Sequence, residues 1–266
     1  MRFDTFFSSM GIEYYAVADI KDVRLTRGEL LCREDFVPRS VILFLVPYYT
    51  MTPKNISRYA ASYDYHLIIR KIGEGLTEAI QEDFPNARMK IYGDHSPIDE
   101  RSAALSHGLG ILGDNGLLIN EKYGSYIFIG DMICDISPEL LGARRAEEVR
   151  YCMHCGACKR ACPTGILRGE SDACLSAITQ RKGELEEWEM ECMRSCNTAW
   201  GCDLCQSACP YNKSPEKTPL RMFYEGGIEE LTSEVLSQMS KEEFEKRAFS
   251  WRGRKVVERN LKILEK

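Results

Sequence analysis

Eight cysteines in the second half of the chain group into two iron–sulfur binding runs, seven of them on spacing alone. The first run is Cys152, Cys155, Cys158 and Cys162, followed by Pro163; the second is Cys202, Cys205 and Cys209, followed by Pro210. Such a run curls a short backbone around a 4Fe–4S cube, and in the bacterial ferredoxin pattern the fourth cysteine serves the other cluster. Two cubes take eight thiolates. The runs supply seven, because Ala199 stands where the second run would begin. Cys174, Cys192 and Cys196 are the nearest candidates for the eighth. Exchange of fourth ligands puts one cluster on Cys152, Cys155, Cys158 and Cys209, and the other on Cys162, Cys202, Cys205 and the extra cysteine. Paired zinc sites are the rival, but the first run is too tight for zinc-ribbon spacing. A disulfide framework belongs to secreted chains.

Nothing at the start of the sequence reads as a secretion signal: MRFDTFFSSMGIEYY lacks a sustained apolar core and a cleavage site. Twelve cysteines without such a signal point to a reducing cytoplasm. The longest apolar stretch, Val41 to Tyr49, contains Pro47 and is too short to span a bilayer, so no membrane partner is expected. With 266 residues, 44% hydrophobic and 28% charged, the chain reads as soluble and globular, one large domain or two ordinary ones. A net charge of −5 gives no bulk attraction to nucleic acid but leaves room for a local basic patch.

The pattern divides into mixed α/β for residues 1–140, cluster chemistry for 141–215 and a charged helical tail for 216–266. Tyr14–Ile20, Val41–Tyr49 and Met89–Tyr92 read as strands, and Ile56–Phe84 as a helical stretch. Ser96, Pro97 and Asp99 resemble a helix start with a capping serine. Gly116–Asn120 and Ser125–Cys134 read as a hairpin around Lys122–Gly124, and 138–150 as a polar connector. In the tail, Arg252, Arg254, Lys255 and Arg259 fall close together, either as a phosphate patch or as a solvated helix face.

Gly108, Gly110 and Gly113 match a dinucleotide-binding glycine pattern literally. That reading needs a strand before and a helix after, whereas a helix over Asp99–His107 comes first here. The glycines instead suit a helix end and a close backbone approach, such as one to a flat cofactor. Asp94 follows a strand and precedes a helix N-terminus, so it is either a turn acid or a functional carboxylate. His95 and His66 have ordinary readings as exposed polar residues, and four histidines make a His-rich metal site improbable.

Over most of its length the sequence resembles the epoxyqueuosine reductase family, corrinoid iron–sulfur enzymes of tRNA queuosine synthesis. The likeness runs in order through Ser57-Arg58-Tyr59-Ala60 with Asp64-Tyr65-His66, then Asp94 to Arg101, then Gly108 to Leu118, then Tyr123 to Gly130. It continues through Cys174-Leu175-Ser176 with Thr179, then Gly201 to Gln206, then Cys209 to Asn212. The resemblance implies a nitroreductase-like cobalamin-binding α/β domain followed by a ferredoxin-like module with two 4Fe–4S clusters. It selects Cys174 as the eighth ligand and makes Asp94 the catalytic proton donor. It points to Arg101, Asn115, Leu118, Gly124 and Ser125 as corrinoid contacts. It implies epoxyqueuosine-bearing tRNA as substrate, a flavodoxin- or ferredoxin-type reductant, and a cytoplasmic monomer. A proton donor of this kind needs a carboxyl whose pKa a dry site has raised.

The departures are specific. Asp114 stands where the family has a lysine, placing an anion near the expected cofactor. Between Asp22 and Pro38 the family's glycine- and tyrosine-rich mouth segment is absent, and the helical-repeat region of larger members does not follow. The stretch Glu184–Ala199 adds Cys192 and Cys196, which have no family counterpart. Two rivals to epoxyqueuosine reduction therefore stand: the same scaffold acting on another small or modified-base substrate, and a non-catalytic ferredoxin-type electron carrier.

Overall fold

The computed structural model describes residues 2–143 and 148–266, and the chain condenses into two compact units. The first comprises 1–47 with 66–153, the second 48–65 with 154–266. These divisions differ from the expected cuts at 140 and 215. Residues 48–65 belong with the cysteine-rich half, and 216–266 is integral to that half rather than an appended tail.

In the first unit, α1 (Arg2–Met10) leads into a four-stranded antiparallel sheet. Its strands are β1 (Tyr15–Asp19), β2 (Ser40–Pro47), β3 (Met89–Gly93) and, after two short strands, β6 (Ile127–Cys134), in the order β1-β2-β6-β3. β2 is buried at all eight positions, Ser40 and the unbroken apolar run from Val41 to Pro47, as a strand covered on both faces must be. Phe44 meets Phe7 of α1 on one face, with ring centroids 5.5 Å apart. Val41, Leu43 and Leu45 enter the core on the other, with Ala103, Ala104 and Leu105 of α3 (Glu100–Ser106). Gly130 lies under Phe44 so closely that an added Cβ would sit 2.4 Å from the ring, so only glycine fits there.

Three local expectations fail in this unit, each for a tertiary reason. The helix expected over Ile56–Phe84 is α2, Tyr65–Asp83. The residues before it turn away, the Ser57 and Asp64 N–H groups donating to the Trp200 and Lys246 carbonyls. The expected hairpin over 116–134 is reduced to one antiparallel bridge, between Asn120 and Gly124. Instead β4 (Ile111–Leu112) pairs with β5 (Leu118–Ile119), and β6 enters the main sheet between β2 and β3. The Asn120 side chain holds the turn within that bridge by accepting from the Lys122 and Tyr123 N–H groups. Finally, α3 is capped by Asp99, which accepts from the Ser102 N–H, and not by Ser96. The connector at 138–150 opens as a short helix, α4 (Pro138–Leu141); its residues 144–147 lie outside those described.

The second unit contains α5 (Ala157–Ala161), α6 (Leu175–Gln180), α7 (Glu187–Ser195), α8 (Leu204–Ser207), α9 (Ser233–Gln238), α10 (Lys241–Glu245) and α11 (Arg254–Leu264). Its largest fully buried side chain is Trp200, which packs with Ile56, Leu231, Phe249 and Val257 and donates Nε1–H to Tyr59 Oη at 2.9 Å. Asn260 of α11 is also fully buried, donating to the carbonyls of Thr179 and Ala199 at 2.6 and 2.8 Å. The tail arginines are likewise tied in: Arg254 donates to Leu236 O and Met239 O, and Arg259 to Arg181 O and Gly183 O. Replacing Trp200 by Ala leaves a large cavity and removes the hydrogen bond to the Tyr59 hydroxyl. It is expected to cost about 3–5 kcal/mol, measured by denaturant titration followed by far-UV circular dichroism. Among the described residues no helix is long and apolar enough to cross a membrane.

Candidate functional site: a cysteine centre and a carboxyl loop

The cysteines are positioned by short helices and glycine turns. Gly156, at φ 71°, starts α5, so that Cys158 lies on the helix and Cys162 ends it. The second run repeats the device: Cys205 lies on α8 and Cys209 precedes the turn Pro210–Asn212. The helices α5 and α8 pack together. Cys174 caps α6. Cys155 is exposed. The N–H of Cys152 donates to Leu112 O at 3.0 Å, which extends the β4 edge in the first unit.

The electrostatics suit thiolates held by a metal cluster. Burial opposes ionisation of Cys162, yet the N–H groups of Leu167, Gly165 and Thr164 and the Thr164 hydroxyl together bring its thiol below the ordinary value. Burial pushes Cys202 up to about 12; the neighbouring Cys174, Cys205 and Asp203 add to this and the Leu204 N–H opposes it. Crowded, buried thiols of this kind ionise when bound iron supplies the positive charge. Asp203 in turn accepts from the Ser57 hydroxyl and from the Arg58 N–H and Nη1, at 2.7 and 3.2 Å for the latter two, which fixes the turn that carries Cys202. A tetrahedral zinc site with Zn–S near 2.3 Å would bring its sulfurs to about 3.8 Å of one another. Among the described residues no three cysteine sulfurs lie within 4.8 Å of each other, a looser spacing than such a zinc site has. Cys174 neighbours Cys202, while Cys192 neighbours Cys196 and Cys162.

In the first unit Asp94 follows directly on β3, in the left-handed region at φ 69°, and is exposed. Its N–H donates to Glu100 Oε1 at 3.0 Å. Glu100 begins α3 and reaches Asp131 of β6, which is fully buried. Ser96 donates to Asp131 Oδ2 at 2.9 Å, while Oδ1 is enclosed without a hydrogen-bond partner among the described residues. A proton lying between the two carboxyls meets that deficit. Both groups are raised, primarily by burial: Glu100 also feels the Asp131 charge, while the Ser96 hydrogen bond draws Asp131 back. The dry carboxyl site expected at Asp94 is thus found beside it, at Glu100 and Asp131. Sequence reasoning passed over this pair, though one acid inside the apolar strand IFIGDMIC was the available signal.

The pair has a pH signature. Both acids bind a proton more tightly folded than unfolded, so their stabilisation is complete below about pH 4 and is lost as pH rises through the raised values near 7 to 8. Glu100→Gln should flatten that decline, which costs up to about 1.4 kcal/mol per pH unit. Denaturation midpoints of both proteins between pH 5 and pH 9 check it.

The expected corrinoid contacts fall unevenly. Arg101 donates to Gly116 O at 2.6 Å, holding α3 to the β4–β5 turn. In that turn Asn115 accepts from the Leu117 N–H, and its buried Nδ2 has no partner among the described residues, a donor available to a ligand. Gly124, at φ 60°, accepts from the Asn120 N–H, and Ser125 beside it is buried. Leu118 does not fit the expectation: it is 4% exposed and packs in the core with Leu105 and Leu109, because the β4–β5 pairing turns it inward.

Comparison with known proteins bears on both halves. A family model described as "4Fe-4S double cluster binding domain" matches residues 151–212, and one described as "Epoxyqueuosine reductase QueG, DUF1730" matches residues 36–95. The epoxyqueuosine reductase of Listeria monocytogenes is 34% identical over 218 residues, covering 78% of this chain. The chain spans 56% of that relative's length. The epoxyqueuosine reductase of Leadbetterella byssophila is 31% identical over 227 residues, covering 76% of this chain and 70% of its own length. Among solved structures, an epoxyqueuosine reductase with an epoxyqueuosine-modified tRNA-Tyr stem loop superposes with a TM-score of 0.77 at 21% identity, covering 98% of this chain and 79% of that one.

Proposed function

Since the chain belongs to the epoxyqueuosine reductase family, we propose that it reduces the epoxide of epoxyqueuosine in tRNA, taking two electrons and two protons and releasing water. The observation that carries this reading is the Asp94 loop. An acid stands at a strand end in a backbone conformation that few residues adopt, and its N–H is fixed by one member of a proton-holding carboxyl pair. Asp94 donates the proton to the departing oxygen. Glu100 holds the loop, and Asp131 and Ser96 hold Glu100.

The family works with cobalamin and two 4Fe–4S clusters. When bound, cobalamin supplies the strongly reducing metal centre for carbon–oxygen cleavage. Arg101, Asn115, Gly124 and Ser125 are the residues we assign to hold it, with the unpartnered Asn115 amide as support. For the clusters we assign Cys152, Cys155, Cys158 and Cys209 to one and Cys162, Cys174, Cys202 and Cys205 to the other, the nearness of Cys174 to Cys202 supporting the eighth ligand. The electrons come from a flavodoxin- or ferredoxin-type donor, and the enzyme works as a cytoplasmic monomer.

The tRNA substrate is drawn from the stem-loop complex of the structural relative. A second reading rests on the region between Asp22 and Pro38. The family's mouth segment is absent there, and a six-residue 3-10 helix, Gly28–Arg33, with none of its residues buried, takes its place. That favours another small or modified-base substrate. Anaerobic turnover followed by mass spectrometry, on the epoxyqueuosine stem loop and on the free nucleoside, separates the two. Loss of one oxygen from the stem loop at the higher kcat/KM supports the tRNA reading. Preference for the nucleoside supports the second, and loss from neither leaves the electron-carrier reading.

A further inference from the structure

α11 and the chain leading into α7 enclose a surface groove of about 530 Å3. Lys255, Arg259, Lys262 and Lys266 line it, the first three along one stripe of α11. Two acids, Glu184 and Glu258, share the rim, so the groove is cationic in a chain whose net charge is −5. Lys255, Lys262 and Lys266 stand in no ion pair among the described residues, and their side chains are exposed. Arg259 is braced against the Arg181 and Gly183 carbonyls, which makes one wall of the groove rigid.

The floor is apolar. Leu185 and Ile263 are buried with Leu175, Ile178 and Met193 in one cluster, and Met190 packs against it. Cys202 packs against the same cluster, and Cys174 caps the helix that carries Leu175 and Ile178. The apolar cluster that floors the groove is therefore the one against which Cys202 packs, together with Cys192 and Cys196. Redox proteins meet through small interfaces in which opposite charge steers the encounter and an apolar centre excludes water. A phosphate backbone is a poorer fit, since the apolar floor would remain uncovered.

We propose that this groove is the docking surface for an acidic one-electron carrier protein of the flavodoxin or ferredoxin type, which delivers electrons to the cluster held by Cys174 and Cys202. The assignment rests on the reading of the chain as a cluster-fed reductase.

The test uses the cluster-loaded protein and the double variant Lys255→Glu with Lys262→Glu. The rate at which pre-reduced flavodoxin, and separately pre-reduced ferredoxin, bleaches the cluster absorbance is read by anaerobic stopped flow at low and high salt. The proposal expects one carrier to reduce the wild type quickly at low salt and more slowly at high salt. It expects the variant to be slower by about tenfold at low salt, with the salt dependence largely gone. Reduction by dithionite, which needs no dock, should be equal in both proteins. An unchanged carrier rate in the variant, or no reduction of the wild type by either carrier, overturns the proposal. So does a variant that keeps its carrier rate but loses affinity for the stem loop, which would make the groove an RNA surface. Because cluster reduction is read directly, a dithionite-reduced protein that leaves epoxyqueuosine intact would count against the proposed reaction and not against the dock.

Discussion

Asp94→Asn is expected to lower epoxide reduction by about 10²–10⁴-fold, the usual worth of a positioned proton donor, while both clusters assemble as in the wild type. The substitution isolates the proton. Asn is one of the few residues that tolerate a φ of 69°, so the loop keeps its conformation, and the backbone N–H to Glu100 is retained. A comparison with Glu100→Gln separates donation from positioning. That variant keeps the Asp94 carboxyl but weakens the acceptor that holds its loop, so it should lose less rate. It should also shift the alkaline limb of the pH–rate profile, because the Glu100–Asp131 pair titrates near neutrality. Anaerobic single-turnover rates of the three proteins across pH 6–9 are the measurement. Full activity in Asp94→Asn would remove Asp94 from the chemistry.

Cys202→Ser is expected to halve the iron content and to destabilise the second unit by several kcal/mol, because binding a structural metal centre is itself folding free energy (~10 kcal/mol or more for a tight site). Cys202 is half-buried among thiols, so without iron it is held protonated, and a serine there cannot replace the thiolate. Cys174→Ser should do the same. Cys192→Ser and Cys196→Ser should keep full iron, since neither is in the assigned ligand set, even though Cys192 also neighbours Cys162. Iron analysis beside thermal unfolding of the five proteins checks this. A Cys192→Ser protein with half its iron and a Cys174→Ser protein with all of it would reverse the assignment.

The parts of the fold most legible in the sequence were those fixed by short-range rules. The apolar run from Val41 announced a strand, and the cysteine spacing announced the turns around α5 and α8. What was not legible depended on partners far along the chain. Nothing between Ile56 and Asp64 says that its N–H groups will meet the Trp200 and Lys246 carbonyls and so end a helical pattern. Nothing in Gly116–Cys134 says that β6 will be needed between β2 and β3. The candidate site divides in the same way. Asp94 stood out through its place after a strand, but the groups that hold a proton, Glu100 and Asp131, are brought together only by α3 lying on β6. Leu118 was read as a contact because it sat in a matched segment, and the β4–β5 pairing turned it into core.

The central claim is that a corrinoid-binding reductase centre and a two-cluster module share this chain. The most direct measurement is the EPR spectrum of anaerobically reconstituted protein mixed with cob(II)alamin. The account predicts that the cobalt signal changes from that of free cobalamin to a protein-bound form, and that Asn115→Ala weakens the change. An unaltered free-cobalamin spectrum beside intact 4Fe–4S signals would contradict it and leave the protein an electron carrier.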